Sequence, residues 1–291
     1  MSTVPRTLPF WRRRKGQQAA ASFLVFATLT AGGLVVMLPF FWMLSTAFKR
    51  AEEVYLSPPV WVPIPPQFIN FWTALTRVPF HIYAANTFII VTLVMIGTLL
   101  SASFSAYGFA RLRAPGKDLI FMLVLATLML PGAVTLVPTY LMFNALGWVN
   151  TFLPLIVPAF FGNAFYIFLL RQFYMSLPRE LEEAATIDGA NVYRIWWHII
   201  LPLSKPVLAT VAVFTFVGTY NDFFTPLIYL ADEDKRTIAV ALSYFQGSPR
   251  IGPQMHLLMA AVTVSMLPPL LLFIFAQRYF VRGIVMSGIK G

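Results

Sequence analysis

Acidic and small residues cluster in one polar stretch, residues 181–206, of a sequence that is otherwise mostly apolar. Its carboxylates can pair with basic groups or cap a helix backbone. The small residues beside them allow a second backbone to approach closely. This chemistry is suited to docking against another polypeptide. The candidate contact residues are Glu183, Ala184, Ala185, Asp188, Gly189 and Ala190.

The local signals in this stretch predict a helix, a tight turn and a second helix. Asp188-Gly189 indicates the end of the first helix, because glycine tolerates the left-handed conformation of a C-terminal cap. Asn191 is a suitable cap for the second helix, which Pro202 and Pro206 are expected to end. An amphipathic hairpin lying on a membrane surface would have the same pattern, so both interpretations remain open at this level.

Residues for catalysis or metal binding are sparse. The chain has no cysteine, and its three histidines lie far apart in the sequence. We therefore predict no metal site and no enzymatic activity. The phosphate-binding pattern G-x-x-x-x-G-K-[ST] is also missing. If ATP drives this protein, a partner must supply the ATPase.

The composition is that of an integral membrane protein. Of 291 residues, 58% are hydrophobic and 11% charged, whereas soluble domains carry about 25% charged residues. In a membrane protein, the net charge of +10 orients the chain in the bilayer rather than binding nucleic acid.

We predict an all-α fold with six transmembrane helices, because six apolar stretches each reach the length of about 20 residues that spans a bilayer. A basic segment, 1–18, precedes the transmembrane domain, 19–280, and a tail, 281–291, follows it. Prolines and glycines such as Pro131-Gly132 mark breaks inside the spans. The predicted spans are 19–48, 84–110, 119–143, 152–174, 207–230 and 256–280.

Lysine and arginine are distributed unevenly between the two sides. With the N-terminus inside, inner segments hold 15 of these residues and outer segments hold 6. The positive-inside rule therefore predicts that both termini and the loop 175–206 are cytoplasmic. The loop 231–255 is then an outer, polar loop.

The spacing of Glu183-Ala184-Ala185, Asp188-Gly189-Ala190 and Leu201-Pro202 between spans four and five resembles the EAA loop of importer-type ABC transporter permeases. The resemblance extends along nearly all of the chain and is closest to carbohydrate-uptake permeases of the maltose-transporter inner-subunit type. It implies the ABC importer permease fold, import of a sugar or related polyol, and a location in a bacterial or archaeal cytoplasmic membrane.

The resemblance also implies partners. In that family the EAA loop is a coupling helix seated on a cytoplasmic ATPase dimer, which binds ATP and Mg²⁺, so this chain needs no cofactor. Motion of the ATPase would pass through the loop into span five. A second permease chain of different sequence, an extracytoplasmic substrate-binding protein and membrane lipid complete the expected partners, with no nucleic acid. Gly288 and Lys290 resemble the family's glycine-and-lysine tail, which contacts the ATPase.

Residues of the solute path are less distinctive. Asp222 is the one acid within a predicted span, and an intramembrane acid is a functional candidate. A structural hydrogen bond between helices explains it equally well. Loop 231–255 resembles the outer loop that reaches toward the binding protein in this family, but it could merely cover the pore. The path candidates are Asn163, Tyr220, Asn221 and Asp222, and the loop candidates are Tyr244, Phe245, Gln246 and Gly247.

Three alternatives remain. A permease for another solute, such as a peptide or phosphate, would share the coupling loop. A stand-alone secondary transporter would favour several buried ionisable residues for ion coupling, whereas Asp222 is nearly alone. A membrane scaffold without transport would leave the helix breaks without a purpose.

Overall fold

The computed structural model describes residues 10–247 and 253–287, which are helical and contain no strand. The first seven helices are α1 (Phe10–Ala47), α2 (Ile69–Arg77), α3 (Phe80–Arg111), α4 (Lys117–Ala126), α5 (Gly132–Ala145), α6 (Leu153–Ile156) and α7 (Ala164–Met175). The remaining helices are α8 (Glu180–Ile187), α9 (Val192–Ile195), α10 (Leu201–Leu203), α11 (Lys205–Tyr220), α12 (Phe224–Tyr229), α13 (Ile238–Leu242), α14 (Met255–Ser265) and α15 (Leu267–Ser287).

In the described ranges, four helical stretches are long and apolar enough to cross a membrane unbroken. Two further stretches are bent pairs, and the number of possible spans rises to six if each pair is one span. One pair joins Lys117–Met129 to α5 at 100°, and the other joins Val192–Leu203 to α11 at 80°. The unbroken stretches are Gln17–Ala47, Phe80–Arg111, Leu153–Met175 and Met255–Gln277.

Proline chemistry explains the first bend, but not every proline ends a helix, and the prediction for Pro202 was wrong. Leu130 precedes Pro131 and has extended backbone angles, because proline disfavours the helical conformation of the residue before it. Pro138 instead lies inside α5 without ending it. Pro202 also does not end its helix: the chain stays helical to Leu203 and breaks at Ser204.

The predicted fifth span, 207–230, is not one helix. It begins two residues earlier, at Lys205, where Pro206 occupies the first turn and needs no N–H partner. It ends at Tyr220, and residues 221–223 separate it from α12. The break at this point gives the polar residues Asn221 and Asp222 a non-helical setting.

Helix α3 is central and contacts α7, α11 and the 3-10 turn Val157–Phe161. Two hydrophobic clusters lie along the bundle. One joins α14 to α13 and the first half of α3, around Tyr83 and Phe245. The other lies beneath α8 and α9, around Leu170 and Trp196.

Segment 231–247 is less polar and less open than predicted. Helix α13 lies within it, and Ile238, Val240 and Ala241 are buried. The chain therefore folds back over the bundle here rather than forming an extended polar loop. In contrast, the apolar middle of α1 packs against nothing in the described chain, and Phe23, Phe26 and Leu29 are each 70% exposed.

Candidate coupling site and solute path

The turn between α8 and α9 has the predicted geometry. Helix α8 ends at Ile187, and Gly189 adopts φ +80°. The Ala190 N–H donates to the Ala185 carbonyl at 2.9 Å, which closes the end of the helix. Asn191 Oδ1 accepts from the Arg194 N–H at 2.9 Å and caps α9. The predicted helix stop and helix cap are thus both confirmed.

The six predicted docking residues divide into two sets. Glu183, Ala184, Asp188 and Gly189 are exposed at the surface, whereas Ala185 and Ala190 are half-buried and pack against the cluster around Leu170 and Trp196. Space beyond the glycine is open, because a Cβ atom at Gly189 would meet nothing within 4 Å. Ile187, which the sequence did not single out, is 86% exposed beside them. An apolar tip with a flanking acid is a surface on which another protein can dock.

A second acid in the same stretch turns inward. Glu182 Oε1 lies 2.9 Å from Arg111 Nε, with the two side chains 15% and 4% exposed. The pair is not aligned as a hydrogen bond, but Tyr107 Oη donates to the other carboxylate oxygen at 3.2 Å. Arg111 also donates to the Leu177 carbonyl at 2.6 Å. Neither Glu182 nor Arg111 was among the candidate residues that the sequence indicated.

Ser103 of α3 forms a second, fully buried contact with this region. Its Oγ accepts from Tyr174 Oη at 3.0 Å and from Trp196 Nε1 at 2.9 Å. Phe104, the next residue, stacks on Tyr193 with ring centroids 5.8 Å apart. No sequence signal indicated Ser103, which lies in a run of small residues within an apolar span.

Two predicted path residues line one cavity of about 740 Å³ beside α11 and α14. Tyr220 is 4% exposed and donates to the Ser265 carbonyl at 2.8 Å, while Asn221 is exposed. Gln246, predicted for the outer loop, lines the same cavity. Polar groups also come from Ser243 and Ser265.

The other predicted path residues lie elsewhere. Asn163 Oδ1 accepts from the N–H groups of Phe165 and Tyr166, which makes it the cap of α7. Asp222 Oδ1 accepts from the Thr225 N–H at 3.1 Å, in a separate cavity of about 110 Å³. Both side chains therefore bond to the first turn of the helix that follows them. For Asp222 this bond is local, whereas the structural alternative that the sequence left open was a hydrogen bond between helices.

The loop residues are also separated. Phe245 is 3% exposed and belongs to the core, while Tyr244 is 41% exposed and its ring faces the Arg236 guanidinium at 4.9 Å. Gln246 and Gly247 are exposed.

Gly288 and Lys290 lie outside the described residues. Within those residues, no group of three His, Asp or Glu side chains could hold a metal ion.

The turn between α5 and α6 is tied to the segment after α12. Asn150, with φ +64°, accepts on Oδ1 from the N–H groups of Ala231 and Asp232. Lys235 donates to the Asn150 carbonyl and to Asp232 Oδ2, at 2.8 and 2.9 Å. The hydrogen bond from Lys235 lowers the pKa of the Asp232 carboxyl below its ordinary value, and that from Asn150 lowers it further.

Comparison with known proteins gives a consistent picture. Residues 97–286 match the family described as "Binding-protein-dependent transport system inner membrane component". The chain is 34% identical to "Probable ABC transporter permease protein YurM" of Bacillus subtilis (strain 168), over 96% of this chain and 91% of that protein. It is 32% identical to "sn-glycerol-3-phosphate transport system permease protein UgpE" of Yersinia pestis bv. Antiqua (strain Antiqua), over 89% and 94%.

Solved structures share the fold. A chain from a bacterial ABC transporter involved in the import of the acidic polysaccharide alginate superposes with a TM-score of 0.77 at 23% identity, covering 94% of this chain and 99% of that one. A chain of a bacterial alginate ABC transporter in complex with an alginate pentasaccharide-bound periplasmic protein gives 0.64 at 17% identity, with 89% and 94% covered.

Proposed function

Because the chain belongs to the family of binding-protein-dependent transport system inner membrane components, we propose that it is a permease subunit of an ABC importer that carries a sugar or related polyol across the cytoplasmic membrane. The chain is not itself an enzyme. The observation that carries the proposal is the exposed pair Asp188-Gly189 at the turn between α8 and α9, whose glycine leaves open space for a partner backbone. A partner ATPase hydrolyses ATP with Mg²⁺ and docks at this turn.

The docking surface comprises Glu183, Ala184, Asp188 and Gly189, with Ile187 as an apolar contact. Ala185 and Ala190 support it from beneath, because their small side chains let α8 lie close to the buried cluster. Gly288 and Lys290 of the tail contribute a further contact with the ATPase. The carboxylates of Glu183 and Asp188 are free to pair with basic groups of the partner, which charge complementarity favours.

For the topology we propose six spans with both termini cytoplasmic. The two bent pairs then each count as one span, and the uneven distribution of lysine and arginine supports this orientation. Backbone freed at the bends must be buried in protein or line a cavity. A second permease chain of different sequence supplies part of that burial, and membrane lipid covers the remaining apolar surface.

The solute path includes the 740 Å³ cavity beside α11. Asn221, Ser243 and Gln246 offer hydrogen bonds to hydroxyl groups, and Phe223 offers aromatic surface to the apolar face of a sugar ring. Buried Tyr220 supports the cavity wall through its bond to the Ser265 carbonyl. No charged residue is among the described residues that line it. An uncharged sugar or polyol therefore fits the lining better than a phosphorylated or otherwise ionised solute. Asn163 and Asp222 contribute to the path by fixing the helix ends that border it.

The extracytoplasmic binding protein delivers the solute to the side that carries segment 231–247. Tyr244, Gln246 and Gly247 are accessible there, whereas buried Phe245 holds the segment to the core. A stand-alone secondary transporter is disfavoured, because it would need buried acids for ion coupling, and Asp222 is used as a helix cap.

Co-expression of this chain with its proposed partners tests the proposal. We expect the chain to purify with a second permease, an ATPase and a binding protein whose melting temperature rises with a neutral sugar or polyol. A chain that purifies alone and transports solute without an ATPase would contradict the proposed function. A binding protein stabilised only by peptides or inorganic phosphate would retain the ABC assignment but reject the sugar.

A further inference from the structure

Both arms of the segment 175–206, here called the coupling hairpin, are attached to α3. The first arm is α8, and its attachment is the Glu182 carboxylate between Arg111 and Tyr107. Arg111 additionally donates to the Leu177 carbonyl, just before α8. The Arg111 side chain is 4% exposed, and a buried charge that loses its partner is strongly unfavourable. These contacts hold α8 firmly on the end of α3.

The second arm, α9, is attached through the indole of Trp196. Its N–H donates to Ser103 Oγ, which is fully buried one helix turn before Tyr107. Tyr174, at the end of α7, donates to the same oxygen. Trp196, Tyr174 and Ser103 therefore share one hydrogen-bonded node in which every member is buried. Movement of Trp196 or of the end of α7 relative to α3 would break it.

The connection from the hairpin to α11 is built differently. A π-helical turn, Trp196–Ile200, follows α9, and the chain then bends by 80° at Ser204 before α11 begins. π-helical turns and prolines are sites where helices deform. The covalent path into α11 therefore contains a joint beyond Trp196, whereas Trp196 itself and Glu182 are held to α3 by non-covalent contacts.

We propose that α3, rather than α11, is the element through which the motion of the ATPase enters the membrane domain. The coupling hairpin and the adjoining half of α3 move as one rigid body, and α11 follows through its packing against α3 and through the joint at Ser204. Arg111, Glu182 and Ser103 are positioning residues for this coupling. The inference rests on the proposed function, and it replaces the expectation that the hairpin drives span five directly.

A chemical bridge between α3 and α8 tests the inference, because the chain has no cysteine of its own. Arg111 and Glu182 both line a cleft of about 350 Å³ at the hairpin, through which a reagent can enter. The double variant Arg111→Cys/Glu182→Cys is assembled with the ATPase, the second permease and the binding protein. A short bifunctional methanethiosulfonate then links the two thiols. Uptake per ATP hydrolysed is measured before and after bridging.

We expect the unbridged variant to hydrolyse ATP while its uptake per ATP falls several-fold, and the bridge to restore that ratio. Failure of the bridge to restore it, or an unbridged ratio equal to wild type, contradicts the proposal. The single variants treated with the same reagent control for modification, and Glu180→Gln controls for loss of an exposed α8 charge.

Two measurements keep the test decisive. If the double variant does not assemble, two single variants replace it: Ser103→Ala removes both bonds of the node, and Trp196→Phe removes the bond from the indole. Each is expected to lower uptake per ATP without changing subunit stoichiometry, and unchanged uptake per ATP in both would overturn the proposal. Wild-type uptake is measured first. A wild-type complex without ATP-dependent uptake argues against the proposed function, whereas a bridge that blocks an otherwise active complex argues only against α3 as the moving element.

Discussion

Lys235 donates a 2.8 Å hydrogen bond to the backbone carbonyl of Asn150, although 85 positions separate the two residues. The Asn150 side chain in turn accepts from two backbone N–H groups of the segment that follows α12. This arrangement fixes the start of the segment that leads to α13 and the solute cavity. It also explains why an asparagine occupies a left-handed position at the α5–α6 turn.

Replacement of Asn150 is expected to lower stability. Asn150→Ala removes two hydrogen bonds, each worth about 1 kcal/mol. It also leaves alanine in the left-handed conformation at φ +64°, without the side-chain hydrogen bonds that let asparagine adopt it. Asn150→Gly loses the same bonds without the backbone strain, so its loss in unfolding free energy is expected to be smaller by about 1 kcal/mol. Denaturation in detergent provides the measurement, and equal stability of the two variants would contradict the strain.

Acid is expected to weaken the same contact through Asp232. Its folded pKa is lowered by Lys235 and Asn150, so its carboxylate contributes stability above the unfolded value of about 3.9. That contribution disappears as the pH falls through the folded pKa. Wild type should therefore melt above Asp232→Asn at neutral pH, and the difference should shrink as the pH falls below about 4 and vanish below the folded pKa. A difference that persists in acid would contradict this assignment.

A branched residue at the coupling turn is expected to separate ATP hydrolysis from uptake. Gly189→Val forces a β-branched residue into φ +80°, which strains the turn even though no neighbour within the chain would clash. Gly189→Asn is the matched control, because asparagine tolerates the left-handed conformation. We expect uptake per ATP hydrolysed to fall far more for valine than for asparagine. Unimpaired coupling in the valine variant would count against docking at this turn.

Removing a side-chain amide from the solute cavity is expected to lower the apparent affinity of uptake for the solute. Asn221→Leu or Gln246→Leu each deletes one hydrogen-bonding group, which corresponds to about a threefold to tenfold higher half-saturation concentration for uptake. Gln172→Leu, on the exposed surface of α7, serves as the control and should leave it unchanged. If both cavity variants have the wild-type half-saturation concentration, the cavity is not part of the path.

Local signals predicted the coupling turn because neighbouring residues determine its geometry. Asp188-Gly189 ends one helix and Asn191 caps the next, and neither depends on distant contacts. The break at Pro131 was predictable for the same reason. Composition likewise predicted an all-helical membrane protein, since a long apolar stretch in a membrane must satisfy its own backbone hydrogen bonds, as a helix does.

Contacts between residues far apart in the sequence could not be predicted from these local signals. Nothing in the sequence shows that Glu182 faces Arg111 while neighbouring Glu183 faces outward, because both fit the first turn of α8 equally well. Ser103 meets Trp196 across 93 positions, and no local pattern encodes that distance. Asp222 was ambiguous for a related reason: its role as a cap depends on a helix break at Asn221 that the apolar pattern of 207–230 conceals.

Solute uptake by the reconstituted complex tests the central claim most directly. Proteoliposomes containing this chain, its partner permease and the ATPase are supplied with the loaded binding protein on one side and nucleotide on the other. We predict that the solute accumulates against its gradient with ATP and not with a non-hydrolysable analogue. Accumulation at the same rate with the analogue would contradict the account.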